Sequence, residues 1–319
     1  MFFLELLFGL ILVLWGADLL INSAISIGKK FNLSEIFIGI IVIGFGTSLC
    51  ELFVSIEAVI KGVGELTLGN IIGSNIANIL LVLGISSFVK AYKFPKINAF
   101  DNIIHLVVTI FFIWICIYSY LSKMWGVIFI GIFLIYLSIL LKNLNFAQPN
   151  NDDNKEKTTW LNNRILGSPI LLGVPVIFFS FVVTMIGADI TVLSAIKISE
   201  LFGISESVIG LTVIAIGTSF PEIAAGYAAM KKNRPNLVIG NIIGSNLYNI
   251  LLIIGISTFF NNFKYNVTNI FNDLIFLLFC ISIFFFMAIF RVIINKKISL
   301  SLILVYSSYI YFLYYTNHL

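Results

Sequence analysis

Residues 44–51 read GFGTSLCE, and residues 215–222 read AIGTSFPE. Residues 69–80, GNIIGSNIANIL, return as GNIIGSNLYNIL at 240–251. Glu51 to Glu222 and Gly69 to Gly240 are both steps of 171 positions. The offset runs without a gap from Gly16–Ser86 to Gly187–Ser257, and 35 of these 71 positions are identical. Shared hydrophobicity would match residue class; identity at half the positions is duplication. Each copy sets one glutamate, Glu51 or Glu222, in an otherwise apolar segment. A carboxylate at membrane depth is costly and marks an ion or proton pathway. Two of them related by an internal repeat point to one site built from both halves.

The composition supports membrane depth. Hydrophobic residues make up 60% of the chain, charged residues only 11%, and the mean hydropathy is +1.06. A soluble domain carries about a quarter charged residues. Apolar segments long enough to cross ~30 Å of hydrocarbon recur throughout. The pattern predicts ten spans, at about 2–24, 35–60, 66–88, 100–120, 124–142, 168–194, 205–230, 236–259, 269–290 and 298–316. The first carries Glu5 and no basic lead, so it is expected to be a retained helix rather than a signal peptide. The net charge of +4 is an orientation signal here and gives no reason to expect a nucleic-acid partner.

With the N-terminus outside and sides alternating, the inside loops hold fifteen Lys and Arg and the outside loops four. The positive-inside rule therefore puts both ends outside. The one polar stretch, residues 143–167, is rich in Asn, Asp and Lys and reads as a cytoplasmic linker. It separates a first five-helix repeat (1–142) from a second (168–319). Five is odd, so the copies enter the membrane from opposite sides. The expected fold is thus an all-α integral membrane protein of two inverted five-helix repeats, with its substrate near the midplane between them.

Within the first motif, Gly46, Thr47 and Ser48 interrupt an aliphatic run, as do Gly217, Thr218 and Ser219, with Pro221 following. A proline inside a helix opposes the carbonyl four residues back. Freed carbonyls and hydroxyls suit a hard cation. The glutamate is one turn beyond the threonine on the same face. In the second motif Ser74 and Asn78 share a helical stripe, as do Ser245 and Asn249, whereas Asn70 and Asn75 fall off it and are expected to cap or bridge helices. Every repeated candidate donor is oxygen. No His or Cys is repeated with them, which favours Na⁺ or Ca²⁺ over zinc or copper.

Other features have plainer readings. The glycines Gly39, Gly46, Gly69, Gly73, Gly210 and Gly217 suit close helix packing. Cys116 and Cys280 read as packing residues, and Asp18 and Asp189 as capping or bridging groups. Lys231, Lys232 and Arg234 read as a cytoplasmic anchor, and the Phe-rich run 283–290 as lipid-facing or packing surface.

GTSLCE with GNIIGSNIANI, and GTSFPE with GNIIGSNLYNI, resemble the two α-repeats of the sodium/calcium exchanger family. The resemblance covers both repeats and the ten-span arrangement; spans four, five, nine and ten match only in topology. It implies that Ca²⁺ is held by Glu51 and Glu222 with the backbone carbonyls of Thr47 and Thr218. It implies further that Na⁺ uses the same glutamates with Ser48, Ser74, Asn78, Ser219, Ser245 and Asn249, and more weakly the carbonyls of Gly44 and Ala215. Two positions depart from the family pattern. Cys50 replaces a proline, which suggests a shallower helix break in the first copy. Asn249 replaces an aspartate found in some members, which leaves two carboxylates and puts a three-to-one ion ratio in question.

The expected activity is Ca²⁺/Na⁺ antiport across the plasma or inner membrane of a prokaryote by a monomer. No covalent chemistry is expected, and no cofactor, since the ions bind as cargo. Burial of an unpaired carboxylate favours its protonated form, so Ca²⁺/H⁺ exchange on the same architecture is the alternative. A cation channel fits less well, because conduction needs weak binding at several sites. Intramembrane proteolysis lacks paired midspan aspartates.

Overall fold

A computed structural model describes residues 2–62, 64–118, 120–142, 169–201, 215–261, 263 and 265–316. The apolar segments fold as helices, which satisfy their own backbone groups where lipid offers no partner. Helix α1 (Phe2–Phe31) ends on Lys29 and Lys30, where cations suit the helix dipole. The second expected span is a pair, α2 (Glu35–Thr47) and α3 (Leu49–Ile60), bent by 41°. Next come α4 (Gly64–Val89), α5 (Ala99–Tyr118) and α6 (Lys123–Lys142). The second half of the chain supplies α7 (Val174–Leu201), α8 (Ala215–Thr218) and α9 (Phe220–Lys231). It ends with α10 (Pro235–Phe260), α11 (Val267–Phe290) and α12 (Lys296–Thr316).

Seven of these helices are long and apolar enough to cross a membrane, and the bent α2–α3 pair makes an eighth. The protein is therefore an integral, multi-pass membrane protein. The tenth expected span corresponds to α12. The seventh is seen only from Ala215 onward. Residues 205–214 and the linker 143–167 lie outside the described residues.

The two helices that carry the second motif, α4 and α10, lie innermost. Protein buries 83% and 94% of their central stretches, against half or less for α1, α5, α6, α7 and α11. The outer helices expose Phe8, Trp15, Trp114, Phe178 and Phe286, as lipid-facing surfaces do. Phe284, by contrast, is fully buried, so the aromatic run near 283–290 serves both packing and surface.

Glycine lets α2 and α10 meet backbone to backbone. A β-carbon at Gly39 would stand 2.7 Å from the Leu237 carbonyl oxygen, and one at Gly244 would stand 2.6 Å from that of Ile40. Gly46 abuts the Phe181 ring and Gly217 abuts Val192 of α7. Among the described residues nothing comes within 4 Å of a β-carbon placed on Gly69 or Gly73, and Gly210 lies outside them.

Contacts recur in pairs beyond the stretch in which the duplication is visible. Tyr136 of α6 donates to Asp101 of α5 at 3.2 Å, and Tyr309 of α12 donates to Asp273 of α11 at 3.0 Å. Gly84 packs against Ile303, and Gly255 against Ile130. The last two helices of each half therefore correspond residue by residue at offsets of 172 and 173 positions, although their sequences have diverged. Two short strands, β1 (Tyr92–Lys93) and β2 (Ile293–Ile294), pair antiparallel and join the α4–α5 loop to the α11–α12 loop.

Two members of the basic cluster also make ion pairs within the protein. Arg234 bonds Glu35 at 2.6 Å with both side chains largely buried, and Lys232 bonds Asp18 at 2.7 Å. Lys232 and Arg234 thus each reach a carboxylate on another helix, a partner that a loop position in the sequence does not reveal.

Candidate functional site

The first motif forms a corner. Ser48, at φ −71° and ψ 1°, separates α2 from α3, and Ser219, at φ −90° and ψ 7°, separates α8 from α9. Both copies thus break at the serine. Pro221 lies in the first turn of α9, where an N–H has no intrahelical partner and proline costs little. It begins a helix rather than interrupting one. Cys50 occupies the matching position in α3, where the break forms without a proline. Glu51 and Glu222 follow in the first turns of α3 and α9, and both side chains are fully buried. Carboxylates there face the favourable end of the helix dipole.

The second motif widens. Helix α4 passes into a π-type stretch at Asn78–Val82, and α10 does so at Tyr248–Ile254, which includes Asn249. Such widened turns often mark functional positions, because they shift side chains off the regular stripe. Ser74, Ser245, Asn78 and Asn249 are all buried.

The two copies interlock at this level. Asn78 Nδ2 donates to Asn246 Oδ1 at 3.1 Å, and Asn249 Nδ2 donates to Asn75 Oδ1 at 3.1 Å. The second bond is the first with the copies exchanged. Asn70 and Asn241 brace the glutamates, each reaching the backbone carbonyl of its own copy's Glu51 or Glu222 at 3.4 Å. The asparagines off the stripe therefore do bridge.

What remains is a set of oxygens. Both carboxylate oxygens of Glu51 and of Glu222, the hydroxyls of Ser48, Ser74 and Ser219, and Oδ1 of Asn78 and Asn249 are buried without a hydrogen-bond partner. Buried polar groups are nearly always paired, so nine such acceptors require a reason. Seven of the ten residues expected from sequence contribute them. The other three are engaged. Thr47 Oγ1 donates to the Ile43 carbonyl at 3.0 Å and stands 3.4 Å from both Asn241 Oδ1 and Ser245 Oγ. Ser245 Oγ lies 3.4 Å from the Gly44 carbonyl oxygen. Thr218 is half-buried and also has a partner. Among the described residues no group of three or more His, Cys, Asp or Glu side chains is placed to hold a metal ion, and the nine unpartnered atoms named above are all oxygens. Sequence reasoning passed over His105, whose Nε2 lies 3.1 Å from Asn246 Nδ2.

The family model for "Sodium/calcium exchanger protein" matches residues 1–142 and 172–315. The chain belongs to the sodium/calcium exchanger family. The unmatched internal stretch, 143–171, contains the whole of the polar linker. Among curated relatives, the putative antiporter CaxA of Alkalimonas amylolytica is 33% identical over 267 residues, covering 79% of this chain and 78% of that protein. The sodium/calcium exchanger MaX1 of Methanosarcina acetivorans is 29% identical over 291 residues, covering 81% and 83%. A structure of the sodium-calcium exchanger NCX_Mj, soaked with 2.5 mM Na⁺ and 1 mM Sr²⁺, superposes with a TM-score of 0.80 at 28% identity and covers 96% of each chain. As a member of the sodium/calcium exchanger family, the protein is a cation antiporter of the Ca²⁺-transporting kind.

Proposed function

We propose that this protein exchanges Ca²⁺ for Na⁺ through one central site that faces the two sides of the membrane in turn. The observation that carries the reading is the set of nine unpartnered buried oxygens, drawn from both copies and including those of two carboxylates. Glu51 and Glu222 balance one Ca²⁺ or two Na⁺. Hydroxyls of Ser48, Ser74 and Ser219 and amide oxygens of Asn78 and Asn249 replace water around the ion, as a hard cation requires. Thr47 and Thr218 contribute backbone carbonyls beside the helix breaks, and Ser245 contributes its hydroxyl. Both ions need the same glutamates, so each excludes the other and their movements are coupled. No covalent step or cofactor is involved, and the ions are cargo.

The topology that serves this mechanism has ten spans in two inverted five-helix repeats, residues 1–142 and 168–319, with both ends outside and 143–167 in the cytoplasm. Fifteen basic residues against four support that orientation. The membrane is the plasma or inner membrane of a prokaryote. Proteoliposomes loaded with Na⁺ and diluted into Na⁺-free buffer at fixed pH should take up radiolabelled Ca²⁺. Uptake driven only by a pH gradient would make H⁺ the coupling ion, and single-channel currents would overturn exchange altogether.

A further inference from the structure

His105 of α5 is fully buried, and its Nε2 faces Asn246 Nδ2 at 3.1 Å. The Asn246 amide has one oxygen and one nitrogen to place. Its oxygen already accepts from Asn78 Nδ2 at 3.1 Å, so its nitrogen is left for the imidazole. His105 Nε2 must then be the acceptor, and the ring proton resides on Nδ1, which has no partner. Along this line each amide gives its nitrogen toward the histidine. The end of the line is Asn78 Oδ1, one of the unpartnered oxygens. With the proton on Nε2 instead, Asn246 would turn over and Asn78 with it. The site would then receive an NH₂ group, a donor that repels cations.

The other copy lacks this device. Asn249 donates to Asn75, but Asn75 Nδ2 is buried without an acceptor. The Tyr136–Asp101 and Tyr309–Asp273 bonds fix the register between α5 and α11. In that register the position matching His105 is Leu277, fully buried and unable to accept.

We infer that His105 is a positioning residue: through Asn246 it fixes the Asn78 amide with its oxygen toward the ion, while Asn249, with no such anchor, is held less firmly. The inference rests on the exchange reading above and deepens it. His105 touches no ion; it sets the polarity of a group that does.

Equilibrium binding of radiolabelled Ca²⁺ to purified protein tests this without needing the coupling ion. His105→Leu should raise the Kd for Ca²⁺ about tenfold, the scale of one ligand hydrogen-bonded into place. His105→Gln, whose side-chain oxygen can accept from Asn246, should restore binding to within about threefold of native. Leucine and glutamine variants that bind alike, whether like the native protein or equally weakly, would overturn the role. The tautomer is a second readout, independent of folding in any variant. The chain has two histidines, so isotope-labelled imidazole nitrogen shifts of the native protein can be assigned to His105. The Nδ1–H form is expected, and an Nε2–H form would overturn the inference. Native protein that binds no Ca²⁺ would remove the exchange reading and this role with it. Normal Ca²⁺ binding by native protein and His105→Leu alike would remove the role alone.

Discussion

Asn78 and Asn246 lie 168 positions apart in sequence, are both buried, and bond through their amides at 3.1 Å. Its partner under exchange of the copies joins Asn249 to Asn75 at the same distance. Neither bond crosses water, so loss of one amide leaves the other unpaired in the protein interior. Asn246→Leu and Asn75→Leu should each lower stability by about 1–3 kcal/mol. The Asn78→Leu/Asn246→Leu pair should cost less than the sum of its two single changes. Thermal unfolding in detergent, run as a double-mutant cycle, measures this; additive costs would mean that the amide pair is not coupled.

Removing either central charge should abolish transport while leaving the fold. Glu51→Gln and Glu222→Gln keep shape and one acceptor but lose the charge that a divalent ion needs. Each should reduce Na⁺-driven Ca²⁺ uptake by about 100-fold or more, equivalent to a loss of ~2.7 kcal/mol in ion binding. Melting temperatures should hold or rise, since a buried uncompensated charge is itself costly. Near-native uptake by either variant would exclude that residue from the site.

The corner at Ser48 sets a further expectation. Cys50 occupies the helix position that Pro221 occupies in the other copy, two residues past the breaking serine. Its N–H belongs to the first turn, where no intrahelical acceptor exists. Cys50→Pro should therefore leave uptake within about twofold and stability within ~1 kcal/mol of native. Collapse of either would mean that the two corners differ in their backbone bonding.

The contrast between these residues shows what sequence could disclose. Glu51, Glu222 and the serines and asparagines around them were legible because duplication printed each twice, and chance does not repeat polar residues at membrane depth. Pro221 was legible as a residue but misread in role. Whether proline interrupts or begins a helix depends on where the chain turns, and that is set by the backbone of Ser219. The ion pair of Arg234 was not legible because its partner, Glu35, is 199 positions away. His105 gave no signal, being unrepeated and meeting Asn246 only where α5 packs on α10. The correspondence of α5–α6 with α11–α12 had faded to topology in sequence, yet survives in the Tyr–Asp bonds. The expected contrast between a shallow first break and a deeper second one involves residues 205–214, outside those described.

The Arg234–Glu35 bond joins the start of α10 to the start of α2, the two helices that meet through Gly39 and Gly244. Its side chains are 11% and 14% exposed, so removal of Arg234 leaves the Glu35 carboxylate without a countercharge and with little water, held only by the Asn236 amide at 3.0 Å. Arg234→Gln should cost about 3–5 kcal/mol, and the Arg234→Gln/Glu35→Gln pair clearly less. Lys61 and Glu57 form the opposite case, an exposed pair one turn apart on α3, for which Lys61→Gln should be nearly neutral. Thermal unfolding of the three variants side by side decides the matter. If the Arg234 and Lys61 changes cost the same, the Arg234 bond is a surface contact and does not hold α2 against α10.

The α2–α10 crossing gives the sharpest steric test. A β-carbon at Gly244 would lie 2.6 Å from the Ile40 carbonyl oxygen and 2.8 Å from the Ile40 Cα, and neither is a flexible side-chain end. Gly244→Ala should therefore push α2 away from α10, costing about 1–3 kcal/mol. It should also weaken Ca²⁺ binding, because Ser245 and Thr47 meet across the same contact. Gly131 of α6 has nothing within 4 Å of its would-be β-carbon among the described residues. Gly131→Ala should be neutral or stabilising by up to ~1 kcal/mol, since alanine is the better helix former. Unfolding temperature and Ca²⁺ affinity, measured on both variants, separate crowding at the crossing from a general intolerance of helix glycines. If Gly244→Ala behaves like Gly131→Ala, the two helices are not held at backbone contact.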